Sequence, residues 1–134
     1  MHNYEYVGCF FDYRELAELV TPIRKDALKN NKLTPHVTFE YKPDTVLTEL
    51  FGTAITATII GYGNNGENEG LKVVLSSDNE IINRMSRKIE VPHITLAVSD
   101  VGKAVNTRYL DFAPIAPIKI VGWYGGYEYR KEER

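Results

Sequence analysis

Cysteine is almost absent from this chain. Cys9 is the one thiol among 134 residues, so an internal disulfide is excluded, and no Cys-x-x-Cys spacing exists for zinc or redox work. Cys9 lies in the apolar run Val7-Gly8-Cys9-Phe10-Phe11, which points to a buried reduced thiol rather than a reactive nucleophile. Long hydrophobic runs are lacking too. Nothing approaches the ~20 apolar residues that cross a bilayer. The opening Met1-His2-Asn3-Tyr4-Glu5-Tyr6 has no basic region leading into an apolar core, so no signal peptide and no membrane partner are expected, and a cytoplasmic protein is. Nor is there an excess of positive charge: the formal net charge is −2. Proteins that hold long duplexes through phosphates carry a strong basic excess. Long duplex nucleic acid is therefore not an expected partner, whereas a single phosphate needs only a local site.

What is present is an ordinary globular composition, with 43% hydrophobic and 25% charged residues, in a length that makes one domain. Patterning divides that domain in two. Tyr4 to Phe11 reads as a strand; Asp12 and Glu15 stand at capping-box spacing, and Leu16, Leu19, Val20 and Ile23 follow on one helix face. A polar connector, Lys29-Asn30-Asn31-Lys32, leads to Pro35 and a strand from His36 to Tyr41. The order then recurs. Leu71 to Ser76 reads as a strand, Ser77 and Glu80 as a capping box, and Ile81, Ile82, Met85 and Ile89 as a helix face. Pro92 and a strand from His93 to Val98 follow. Asp44 to Leu50 and Asp100 to Tyr109 read as short helices, each ahead of a strand, Ala54 to Ile60 and Ile115 to Val121. Both of these end in aromatic-glycine runs, Gly61-Tyr62-Gly63 and Gly122-Trp123-Tyr124-Gly125. The expected fold is α+β, a β-α-β-(α)-β unit used twice, with lobes 1–63 and 70–127, a turn-forming connector at 63–70 and a charged tail at 128–134.

The chemistry concentrates in Pro35-His36-Val37-Thr38-Phe39 and Pro92-His93-Ile94-Thr95-Leu96. Side chains alternate along a strand, so His36 shares a face with Thr38 and His93 with Thr95, while Val37, Phe39, Ile94 and Leu96 give each strand a core side. An imidazole titrates near pH 6.5, so one ring can take a proton from water while a protonated partner delivers one to a leaving oxygen. Threonine hydroxyls alongside can donate to phosphoryl oxygens as charge develops. No metal and no cofactor are called for; each histidine would need a carboxylate or thiol placed nearby to hold a metal, and the second motif meets no carboxylate until Asp100.

Two His-x-Thr motifs with apolar spacers, one in each half of a duplicated α+β chain, resemble the 2H phosphoesterase superfamily, which includes LigT-like RNA ligases/cyclic phosphodiesterases and plant-type cyclic nucleotide phosphodiesterases. The resemblance implies a bilobal fold with two antiparallel sheets facing across a central cleft. It implies His36 and His93 as catalytic residues, with Thr38 and Thr95 as phosphate ligands. The implied reaction is metal-independent hydrolysis of a 2′,3′-cyclic phosphate or a related 2′–5′ or cyclic-oligonucleotide linkage. The partner is then a small nucleotide, a cyclic oligonucleotide or an RNA terminus, and the protein a monomer. A nucleotide-binding module without turnover, or 2′–5′ ligation through the same four residues, are the alternatives.

Weaker signals surround the motifs. Arg24, Lys25, Lys29 and Lys32 precede one, and Arg84, Arg87 and Lys88 the other; helix C-terminal turns in solvent account for most of them. Phe11, Tyr41, Trp123 and Tyr124 fall at strand ends, where a base could stack.

Overall fold

The computed structural model describes residues 3–29 and 35–128. Most of the 29–32 connector, Lys32 included, and the tail past Glu128 lie outside the described residues. Six strands and two α-helices run in the order β1 (Tyr4–Phe10), α1 (Tyr13–Val20), β2 (His36–Tyr41), β3 (Ala54–Asn64), β4 (Asn68–Ser76), α2 (Glu80–Arg87), β5 (His93–Val98) and β6 (Ala113–Glu128). The fold is α+β, mostly antiparallel sheet with little helix. No helix among the described residues is long and apolar enough to cross a membrane.

Asp12 caps α1 by accepting from the Glu15 amide at 2.9 Å. Leu16 and Val20 are buried, and Leu19 and Ile23 pack against the core. Pro22 cannot donate into an α-helical ladder, and the chain finishes as a 3-10 helix over Thr21–Ile23. The second helix departs from expectation. Its cap is Asn79, which accepts from the Ile81 and Ile82 amides, while the Ser77 hydroxyl donates to the Ala54 carbonyl. Ser77 is spent on tying the helix approach to β3, so no Ser77–Glu80 capping box forms. Ile82 is buried but Ile81 is 42% exposed, one residue off the packed face. The short helices expected at 44–50 and 100–109 contract to 3-10 helices at Thr48–Leu50 and Ala104–Tyr109. Neither stretch has a side-chain cap to offset nucleation.

The strands form one antiparallel sheet in the order β2-β1-β6-β3-β4-β5. β3 and β6 pair from Ala54↔Trp123 to Tyr62↔Ala113, so the two sheets expected from the resemblance are joined here by hydrogen bonds into one. Exchange β1 with β4, β2 with β5 and β3 with β6, and the order reads the same in reverse. The sheet curls close to a barrel, because the end strands β2 and β5 come within 8 Å of each other at their Cα atoms. A single core cluster runs across it, including Val7, Cys9, Val37, Ile55, Ile59, Leu71, Ile94 and Tyr124.

The expected connector at 63–70 is mostly strand. β3 extends to Asn64 and β4 begins at Asn68, with the turn between them. Polar composition misleads here, because Asn68 is 2% exposed and Glu69 0%; both are buried with hydrogen-bond partners in place of apolar neighbours.

Candidate functional site

The two motifs occupy the two ends of the sheet, in β2 and β5, at matching positions. Val37 is 1% exposed and Ile94 0%, while His36, Thr38, His93 and Thr95 are half-buried, so alternation turns the four polar side chains away from the core face. Each preceding proline lacks a donor but keeps its acceptor. Phe11 donates to the Pro35 carbonyl at 3.3 Å, and Val73 to that of Pro92 at 3.1 Å.

The register shows what lies beside each motif. Thr38 is opposite Gly8, which is opposite Gly125 on β6. Thr95 is opposite Gly70, which is opposite Gly63 on β3. Both threonines thus look along a row of two glycines. A Cβ on Gly8 would land in the Val37 carbonyl, and one on Gly70 in the Thr107 side chain and the Ile94 carbonyl. The residue between His and Thr crowds the glycine in both halves, which is why no other residue fits there. The histidines differ in their neighbours: His36 faces Phe10, and His93 faces Lys72.

The two imidazoles are held differently. Nδ1 of His93 is 2.7 Å from the Val91 carbonyl. A carbonyl only accepts, so Nδ1 carries a proton and the Nε2 lone pair is open in the neutral ring. Burial pushes the His93 pKa below its usual value and the charge of Arg108 lowers it further, against the opposing pull of the Val91 carbonyl. His36 stacks on Tyr6, with ring centroids 4.4 Å apart and planes 19° apart, and its Nδ1 is 3.4 Å from the Tyr6 hydroxyl. Burial, then the nearby Tyr127 and Glu5, push the Tyr6 hydroxyl up to about 12, so it stays protonated. A phenol can donate to a neutral ring or accept from a protonated one. Tyr6 also stacks on Tyr127 at 5.2 Å and Phe10 at 5.9 Å.

The threonines differ as well. Thr95 Oγ1 is 2.8 Å from Thr107 Oγ1, and the buried Asn68 side-chain amide donates to Thr107 at 3.0 Å and to the Lys103 carbonyl at 2.7 Å. This Asn68–Thr107 support was invisible in the sequence, because it joins the supposed connector to a segment read as a plain helix.

Of the aromatic residues expected to stack on a base, two are corrected. Phe11 and Tyr124 are each 2% exposed and belong to the core. Tyr124 packs on Phe39 and Phe51, with Met85 Sδ at 4.0 Å from its hydroxyl. Neither offers a ring face to a ligand. Trp123 (42% exposed) and Tyr41 (60%) remain available. Strand parity would have separated them: Tyr124 has the parity of the core residue Ile120, and Trp123 that of the outer face.

Arg24 is not a solvated helix-end cation. Its Nε and Nη2 bind the two oxygens of Glu69 at 2.7 and 2.5 Å. Glu69 also accepts from the Tyr62 hydroxyl at 2.7 Å and the Leu28 amide at 3.0 Å. Burial raises the Glu69 pKa, but Arg24, Tyr62 and Leu28 together outweigh it and hold the carboxyl below its ordinary value. The network fastens the segment leading toward β2 onto the β3–β4 hairpin. By contrast, Arg87 pairs with Glu80 at 2.9 Å in solvent, both over 60% exposed, as a helix-surface cation should. Cys9 is fully buried, and burial drives its thiol up to about 12.

No protein-family profile matches the chain, and no curated protein matches it.

Proposed function

We propose that this protein is a metal-independent phosphodiesterase of the 2H type, hydrolysing 2′,3′-cyclic phosphates or related 2′–5′ or cyclic-oligonucleotide linkages. The observation that carries the reading is the equivalence of the two motifs. Each His-x-Thr begins an end strand of a sheet whose order is its own mirror under exchange of halves, each threonine faces two glycines, and the two end strands approach one another. A duplicated unit with its two active strands brought together is the simplest source of that pattern. A lone structural histidine would have no reason to be matched in this way.

The histidine surroundings divide the labour. His93, kept neutral by burial and with Nε2 unprotonated, suits the general base; it takes a proton from water as the water oxygen attacks phosphorus. His36, beside a hydroxyl able to accept from Nδ1, suits the protonated partner and delivers the Nε2 proton to the ribose oxygen as its bond to phosphorus breaks. Thr38 and Thr95 donate to the non-bridging oxygens, whose negative charge grows in the transition state. For Thr95 this needs the Thr107 hydroxyl to turn and donate to it, a rotation that the Asn68 amide permits because it fills a Thr107 lone pair. From a 2′,3′-cyclic mononucleotide the product is a nucleoside monophosphate.

The test is turnover of 2′,3′-cyclic nucleotides in EDTA by the native protein, His36→Ala and His93→Ala. The proposal expects activity that survives chelation and falls by about 10²–10⁴ in either variant. Activity that disappears with EDTA, or persists in both variants, would overturn it.

A further inference from the structure

The two motifs match in position, but the side chains across from them do not. His36 faces Phe10 and stacks on Tyr6, which stacks in turn on the half-exposed Tyr127. The corresponding neighbour of His93 is Lys72, exposed on β4 at the directly opposed position. Directly opposed residues in an antiparallel pair share a face, with Cβ atoms about 5 Å apart. A second cation comes from the Ala104–Tyr109 segment. Thr107 bonds Thr95 at 2.8 Å, and Arg108 follows it, resting on the Tyr109 ring at 4.7 Å from the centroid. Arg108 is close enough for its charge to act on His93.

Neither Lys72 nor Arg108 has a carboxylate partner among the described residues. Glu69, the buried acid nearest in sequence, points to the core side and is saturated by Arg24, Tyr62 and Leu28. Among the described residues, the His36 flank is therefore aromatic, and the His93 flank carries two cations that no carboxylate neutralises, Arg108 with its guanidinium also donating to the Tyr109 hydroxyl. A single scissile phosphate held between the histidines does not account for that imbalance.

We infer that Lys72 and Arg108 bind a second phosphate on the His93 flank, so that the preferred ligand is a nucleotide carrying another phosphate beyond the one that reacts, with its base toward Tyr6, Tyr127 and Trp123. This assignment rests on the proposed nucleotide site, and it narrows the ligand class from a cyclic mononucleotide to one phosphorylated at a further position. The second phosphate is either a terminal monoester or the next linkage of an oligonucleotide.

Calorimetry with unreactive product-like ligands tests it separately from turnover. The probes are adenosine 2′-monophosphate, adenosine 2′,5′-bisphosphate and the adenylate dinucleotide ending in the same 2′-phosphate. A charge-assisted phosphate contact makes the bisphosphate bind roughly tenfold more tightly than the monophosphate. That ratio falls toward one in Lys72→Ala and in Arg108→Ala, is largely kept in Lys72→Arg, and is unchanged in Lys88→Ala on the C-terminal end of α2. Melting curves of the variants establish that each is folded. Tighter binding of the dinucleotide as well identifies the linkage form as accepted; tighter binding of the bisphosphate alone identifies the terminal monoester. Equal affinity for all three, no binding of any, or a ratio that survives both alanine substitutions overturns the inference even if the protein hydrolyses cyclic nucleotides. A tenfold ratio in a protein that hydrolyses none upholds the phosphate site and rejects the hydrolase.

Discussion

Removing Arg24 should destabilise the protein more than removing the acid it binds, and should do so in a pH-dependent way. The Glu69 side chain is fully buried and that of Arg24 is 20% exposed. Arg24→Met leaves a carboxylate with no cation and no water, keeping only Tyr62 at 2.7 Å and Leu28 at 3.0 Å. Breaking a buried pair from one side costs about 3–5 kcal/mol; partial exposure of the guanidinium places this case near 3. Glu69→Gln strands only the guanidinium, which can reach solvent, and should cost about 1–2 kcal/mol. For a domain of this size, the Arg24→Met loss lowers the melting temperature by about 10 °C.

The pH dependence separates a charge effect from lost packing. In the native protein the folded Glu69 pKa is lowered. Its contribution is thus fully present above the unfolded carboxyl value and is lost as pH falls through the lower folded value. In Arg24→Met the foremost of the lowering influences is gone and only Tyr62 and Leu28 still oppose burial, so that pKa moves upward. The penalty is greatest at neutral pH and shrinks as Glu69 takes up a proton. Urea unfolding of native protein, Arg24→Met, Glu69→Gln and the double variant at about pH 7 and pH 5 measures this. A Glu69→Gln loss larger than that of Arg24→Met, or an Arg24→Met loss that ignores pH, would refute the argument.

Other outcomes follow from the same contacts. Because the His93 pKa is lowered, kcat/KM for a cyclic nucleotide should stay on its plateau below pH 6.5 before falling as the base is protonated; a fall centred well above that value contradicts His93 as base. Gly70→Ala must force its Cβ into Thr107 and the Ile94 carbonyl, a loss of about 3 kcal/mol or more in urea unfolding, whereas Gly52→Ala, with no neighbour in reach, loses only what its positive φ imposes. Cys9, fully buried with its thiol near 12, should resist iodoacetamide at about pH 8 until the chain unfolds; rapid labelling of the folded protein contradicts its burial.

The parts of this fold that a linear pattern encodes were legible in the sequence. Strands β2 and β5 run over the expected residues because period-two alternation and a leading proline bound them. Asp12 caps α1 where the spacing says it should. The failures all involve partners distant in sequence. Glu69 and Asn68 read as surface because their composition is polar, yet Arg24 and Thr107, from 45 and 39 residues away, satisfy them in the interior. Tyr124 and Phe11 read as rim residues because strand ends are often exposed, yet both lie on the core face. Tyr6, which stacks on His36 from 30 residues away, carries no local signal at all. Lys72 becomes notable only once the register sets it opposite His93.

The central claim is that His36 and His93 act together in one site, and the activity of the double variant tests it most directly. Residues that work as a unit are strongly non-additive: once one is gone, removing the other costs little more. With kcat/KM for a 2′,3′-cyclic nucleotide measured in EDTA, His36→Ala and His93→Ala are each expected to lose about 10²–10⁴, and the double variant to be no slower than the worse of the two. A double variant slower by the product of the single losses, or a single variant with native activity, would mean that the two motifs do not share a reaction.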